Sequence, residues 1–339
     1  IDNPSNSFFK QVLKMWPKII AVEMEGAGVS GAIEQAQSLG IPTGFMMIRG
    51  ISDLPRAEGK DRGTKERDAW KIYASDVAAA FIIGWIAWLV STITISVLII
   101  AALEFLPIPG LTGTTKLVAA IALIIIINFI AYLGADISGA LLIFFAAETV
   151  VLLLSLIIPG FMHISWSNFT PLLTKPFPWV FVSLFFMIES LMGWESASFL
   201  AEETKDAEKV IPKALVIATF LSGILGLLFA FVSLGVIPWN ELVNSQVPVL
   251  DIAARLFVHQ QVRMISIINF GILLVLIGSV VGAVVSTPRL LLAMARDKLF
   301  VRQLAAIHEK RNTPHKAIIF QAIVSIVIVI IGFGSYSSL

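Results

Sequence analysis

From Ala78 onward, apolar runs long enough to cross a lipid bilayer follow one another with only short interruptions. The spans read as Ala78–Leu106, Leu117–Leu133, Ile137–Ile158, Trp179–Ala201, Lys213–Ile237, Met264–Thr287 and Ala317–Phe333. Each is near the roughly 20 residues a helix needs to cross about 30 Å of hydrocarbon, the second and last being the short ones. They cannot all be core helices of a soluble fold, because no polar faces remain to meet water. Composition agrees: the chain is 57% hydrophobic and 14% charged, whereas soluble domains carry about 25% charged residues. The expected fold is mainly α, a polytopic helical membrane protein of about seven transmembrane helices. Trp85, Trp88, Trp166, Trp179 and Trp239 lie near span ends, as an interfacial aromatic belt requires.

Loop charge gives an orientation. The loop after the sixth span holds Arg289, Arg296, Lys298, Arg302, Lys310, Arg311 and Lys316, and the loop after the fourth holds Lys205, Lys209 and Lys213. The odd-numbered loops hold only Lys116, Lys175, Arg255 and Arg263. The even loops are therefore expected on the cytoplasmic side, together with the N-terminal segment.

That segment, residues 1 to about 77, has an ordinary soluble composition. Lys18–Glu25 and Thr43–Ile51 read as short strands, Gly26–Leu39 as a helix, and Asp68 as the cap of a helix through Phe81. This is an α/β rhythm, in a segment too small to hold a doubly wound core of its own. The chain starts at Ile1 without a signal-peptide pattern, and both ends read as cut. A net charge of +1 gives no reason for nucleic-acid binding. With no cysteine in the chain, thiolate catalysis and cysteine-ligated metals are excluded, and no metal or cofactor is expected.

Chemistry concentrates in Phe185–Ala214, where Glu189 and Glu195 flank Gly193 inside an apolar span that ends in a charged loop. A carboxylate at bilayer depth is costly and marks a functional site by default. The glycine beside it points to a broken helix whose backbone groups meet a ligand. Glu189 lies deeper and is the better candidate for proton coupling, while Glu195 either caps the break or takes part in gating. Glu148, inside the third run, is a second coupling candidate. Glu202 and Glu203, beside Lys205 and Lys209, read as a solvated loop, and Asn128 as an interhelical hydrogen bond.

The run GWESASFLAEETKDAEKVIPKAL (Gly193–Leu215) resembles the sixth-helix signature of the amino acid–polyamine–organocation permeases. STPRLLLAMARDKLF (Ser286–Phe300) and RNTPHKA (Arg311–Ala317) resemble that family's loop after helix eight, and IGWIAWLVSTITISVLIIAA (Ile83–Ala102) is similar to its third helix. The resemblance implies helices three to nine of a partial inverted-repeat transporter, in the cell membrane, moving amino acids or related amines. It implies a substrate site at Ser190, Gly193, Trp194, Glu195 and Ser196, packed near Ser279, Gly282 and Ser286. Proton or exchanged amine would be the coupled species, through Glu189 or Glu148. The family's glycine-rich first helix, the other half of the site, is missing from this chain.

IAVEMEGAGVSGAIEQAQSLGIPTGFMMIRGISD (Ile20–Asp53) resembles the C-terminal half of nucleoside phosphorylases and methylthioadenosine nucleosidases, and Asp68–Phe81 matches the following helix. By that resemblance Met24 packs on the sugar, Glu25 accepts hydrogen bonds from two adjacent ribose hydroxyls, and Asp53 is the general acid toward the purine. The expected organisation is a partial phosphorylase-like segment over 1–81 and a partial permease domain over 82–339. Three functions compete: a transporter fragment inactive alone, a membrane-tethered purine nucleosidase, and a chimera of two genes with neither activity intact.

Overall fold

The computed structural model describes residues 64–106, 108, 113–170, 176–187 and 193–336. The expected strands and the phosphorylase-like residues Met24, Glu25 and Asp53 lie outside them, as do Glu189 and Ser190. The regular elements among the described residues are all helices: α1 (Thr64–Glu104), α2 (Gly113–Leu133), α3 (Ala135–Phe161), α4 (Pro178–Met187), α5 (Ala207–Val236), α6 (Trp239–Leu242), α7 (Pro248–Leu256), α8 (Gln261–Arg296) and α9 (His315–Tyr336), with 3-10 segments between several of them. Six of these helices are long and apolar enough to cross a membrane. Of the expected seven spans, the fourth is not one helix. Its described residues form the ten-residue α4 and, from Gly193 on, a ten-residue 3-10 segment, Trp194–Glu203.

The chain divides into two compact units, Ile1–Ala87 and Trp88–Leu339. In the first, the described part is the opening of α1. Asp68 lies inside that helix and not at its cap, and the helix passes Phe81 without a break. In this register the apolar run from Ala78 simply extends a helix already under way.

The second unit is built on α8, which enters two apolar clusters. In one, Val280, Val281, Val284 and Val285 of α8 meet Ile95 and Ile99 of α1, Ile124 and Ile127 of α2, and Ile318 and Val329 of α9. In the other, Ile268 of α8 joins Leu156 and Ile157 of α3, Leu225 and Val232 of α5, and Ile252 and Leu256 of α7. Small residues along one face of α8 let α3 approach closely, as is usual between membrane helices. A Cβ on Gly278 would lie 2.5 Å from Phe145 Cβ, and one on Gly271 would lie 2.8 Å from Leu152 Cδ1.

Polar side chains tie the helices where apolar packing cannot discriminate between them. Asn269 Nδ2 donates to the Phe105 carbonyl at 2.7 Å, and Asn168 Nδ2 to that of Gly235 at 2.8 Å. Asn128 does not bridge helices as expected. Its Nδ2 donates to Ile124 within its own helix at 2.9 Å. Trp88 also departs from the belt reading: it is 4% exposed and stacks on Phe320 with ring centroids 5.7 Å apart. Trp166, Trp179 and Trp239 are exposed.

Candidate functional site: the break in the fourth span

The break is set by Gly193, whose backbone sits at φ 103°, ψ −15°. L side chains rarely adopt that conformation, and a glycine does so without steric cost. Among the described residues no heavy atom lies within 4 Å of where its Cβ would be, so on their side the backbone at this turn is open. The chain then winds into the 3-10 segment. Ser196 donates to the Gly193 carbonyl twice, from its backbone N–H at 3.0 Å and its Oγ at 2.6 Å. The Gly193 N–H donates to Glu195 Oε2 at 2.9 Å. Gly193, Glu195 and Ser196 are thus gathered into a single turn, with Trp194 half-buried beside them.

Chemically, Gly193 itself offers one backbone donor and one backbone acceptor, each already engaged by a local side chain. An incoming carboxylate would compete with Glu195 for the Gly193 N–H. An incoming ammonium would compete with Ser196 for the Gly193 carbonyl. Such exchangeable local bonds cost less to replace than bonds of a continuous helix, whose loss breaks a cooperative ladder.

Glu148 lies elsewhere, on the α3 face that packs against α8. Its Oε1 is 3.2 Å from the position a Gly271 Cβ would take, so the carboxyl occupies space that the glycine leaves. Its Oε2 is enclosed and has no hydrogen-bond partner among the described residues. The structure does not join Glu148 to the Gly193 turn by any hydrogen bond among the described residues. Of the expected neighbours on α8, Ser286 is 3% exposed and bonds back to Gly282, while Ser279 bonds back to Val275.

The arrangement that sequence reading missed is at the end of the 3-10 segment. Glu203 is not a solvated partner of Lys205 or Lys209. Its carboxylate accepts from Arg289 Nε at 2.9 Å and Nη2 at 3.1 Å, a two-pronged fork. The Arg289 side chain is 4% exposed, and its remaining Nη1 donates to the Val285 carbonyl. Glu202 pairs with Arg296. The sequence spans end the sixth at Thr287 and so count Arg289 among the loop charges, yet Thr287, Pro288 and Arg289 all lie inside α8. A signal was present: an arginine followed directly by Leu290, Leu291 and Leu292 needs a counter-ion to sit among apolar residues.

A cavity of about 550 Å³ lies apart from the break, lined by Glu241, Asn244, Ser245, Asp251 and Arg255 among others. Its charges are used internally, Arg255 on Glu241 and Ser245 on Asp251. The described residues contain no cluster of three or more metal-binding side chains.

Comparison with known proteins places this architecture. The family described as amino acid permease matches residues 69–339. The uncharacterized transporter YdgF of Bacillus subtilis (strain 168) is 28% identical over 271 residues, which cover 75% of this chain and 57% of that protein. The branched-chain amino acid permease BcaP of the same organism is 25% identical over 201 residues, 58% of this chain and 42% of its own. The D-serine/D-alanine/glycine transporter of Escherichia coli (strain K12) is 23% identical over 278 residues, 76% of this chain and 58% of its own. The chain therefore spans about half the length of these curated relatives. With a family match over most of its residues and six membrane-capable helices in the described part, this multi-pass membrane protein belongs to the amino acid permease family.

Proposed function

We propose that this chain serves secondary transport of amino acids or related amines, and that the turn at Gly193 forms one half of the substrate site. The observation that carries the reading is the interruption itself. A span of transmembrane composition is broken at a glycine with φ 103° and continues as a 3-10 segment. Irregular backbone at membrane depth is tolerated where it lines a cavity or is buried in protein, and transporters place substrates at such breaks. Ser190, Gly193, Trp194, Glu195 and Ser196 are the contributing residues. Glu148 and Glu189 couple transport to a proton or to an exchanged amine. The names of relatives, a branched-chain amino acid permease, a D-serine/D-alanine/glycine transporter and a cationic amino acid transporter, support amino acids as the substrate class without choosing among their side chains.

The membrane is the cell membrane, with the lysine- and arginine-rich loops and the N-terminal segment on the cytoplasmic side. The domains run over 1–81 and 82–339, although α1 and the family match both cross position 82. For the first of them, Val22–Glu25 and Arg49–Asp53 support an origin in a nucleoside phosphorylase-like protein. Adenine release from methylthioadenosine by the purified protein is expected to be absent. Release that Glu25→Ala or Asp53→Asn abolishes would restore the enzyme reading.

The test is uptake of a panel of labelled amino acids by transport-deficient cells expressing the gene that encodes this chain. Uptake of at least one, lost in Gly193→Val at equal membrane abundance, is the expected result. Unchanged uptake across the whole panel overturns the proposal.

A further inference from the structure

The 3-10 segment that follows Gly193 has little to hold it in place. Ten residues is long for a 3-10 helix, whose hydrogen-bond geometry is poorer than that of an α-helix. None of its residues is buried, and among the described core contacts Leu200 is its apolar anchor. At its far end, however, two consecutive carboxylates meet two arginines of α8. Arg289 and Arg296 are seven residues apart, two turns along one face of that helix. The inner pair, Arg289 with Glu203, has side chains 4% and 29% exposed, and the outer pair, Arg296 with Glu202, 40% and 58%.

These two pairs differ in what they do. Exposed pairs contribute little, because water and salt screen them. A buried pair gives back in attraction much of what desolvation costs, so its main effect is on specificity: it penalises every register in which a buried charge is unmatched. Arg289 has all its anchoring groups engaged, with the fork on Glu203 and Nη1 on the Val285 carbonyl. It is therefore fixed to α8 and presents one geometry to the segment.

We infer that Arg289 is a positioning residue of the transport site. Through Glu203 it sets the register of the Gly193–Glu203 segment on α8, and so holds the Gly193 turn in its place along that helix. Opening of this pair is the step that frees the segment to move. The inference rests on the reading of the Gly193 turn as half of a substrate site, but its first test is independent of transport.

The chain contains no cysteine, so spin labels can be placed at Ala201→Cys and Val262→Cys without altering other residues. Val262 is 83% exposed near the opposite end of α8, a helix about 54 Å long at 1.5 Å per residue. In nanodiscs, the interspin distance distribution is expected to be single and narrow. Glu203→Gln, which leaves Arg289 an amide acceptor but removes the carboxylate charge, broadens it. Arg296→Gln does not, and the reversal Arg289→Glu with Glu203→Arg narrows it again. A distribution as narrow in Glu203→Gln as in the parent, or equally broad in Arg296→Gln, overturns the inference. The uptake arm separates positioning from mere folding. Glu203→Gln is expected to raise the half-saturation concentration about tenfold or more, with membrane abundance unchanged and the maximal rate lowered far less. Equal loss of both parameters, in step with abundance, would show a structural role only and overturn it. Absent uptake in the parent would count against the proposed function and leave the distance result standing.

Discussion

At Gly193 the physical demand is conformational, whereas at Gly278 it is spatial, and the two are relieved in different ways. A side chain at Gly193 meets no atom of the described residues but forces φ 103° on an L residue. Gly193→Ala should therefore cost about 1–3 kcal/mol, relieved by letting the turn rewind, with more helical content in the fourth span by circular dichroism. A Cβ at Gly278 lies 2.5 Å from Phe145 Cβ and 2.7 Å from its Cγ. The nearer atom is fixed to the α3 backbone, so Phe145→Ala leaves the clash in place. Gly278→Ala is expected to lower the thermal midpoint in detergent, by the about 1–3 kcal/mol typical of overpacking, and Phe145→Ala should fail to rescue it. At Gly271 the nearest atom is the tip of Leu152, which can turn aside. Gly271→Ala should be the milder change, and its second contact, Glu148 Oε1, makes it a probe of that carboxyl.

Among the elements, span centres were legible and span ends were not. Apolar runs report burial in lipid, and α2 ends at Leu133 as the sequence reading placed it. α5 starts at Ala207 and not Lys213, and α8 continues past Thr287 to Arg296. In both, a proline (Pro212, Pro288) reads as a boundary, because it lacks an N–H and clashes with the preceding turn. Membrane helices tolerate it when neighbours satisfy the freed groups. The Arg289–Glu203 fork was illegible for a different reason: its partners are 86 positions apart, and only the tertiary fold brings them together. The broken span is the converse case. Gly193 and its flanking carboxylates announced an interruption, and the structure assigns that interruption a left-handed turn and a 3-10 segment. Hydrogen exchange should then divide the two elements that meet at the fork. Amides of Trp194–Glu203 are expected to exchange at least about a hundredfold faster than those of Val280–Ala295, because local opening of a thin, unburied element costs far less than opening the helix that joins both cores. Comparable protection in both would mean that the 3-10 segment is part of the core.

For the molecule from Trp88 onward, the surface explains why the fold needs a bilayer and gives a way to establish its direction. Ile143, Val151 and Ile158 of α3 are 60–73% exposed, and Phe220 and Leu227 of α5 are 68% and 74% exposed. Side chains of this kind, repeated along spans with few charges, are stable against lipid and not against water. Between α5 and α8 the chain carries Asn244, and beyond α8 it carries Lys310, both exposed. α8 is the one long helix between these positions, so a single crossing puts them on opposite faces of the membrane. The charge rule then selects which face is which. Taking Arg289 out of the loop and into the helix leaves Arg296, Lys298, Arg302, Lys310, Arg311 and Lys316 together on one side. That side is expected to be cytoplasmic. The absence of cysteine allows a direct check with a membrane-impermeant maleimide on intact cells. Asn244→Cys should label at once, and Lys310→Cys only after permeabilisation. Labelling of both from outside would mean that α8 does not cross the bilayer, which the packing of its two ends into separate apolar clusters argues against. Reversed labelling would leave the crossing intact and overturn the orientation alone.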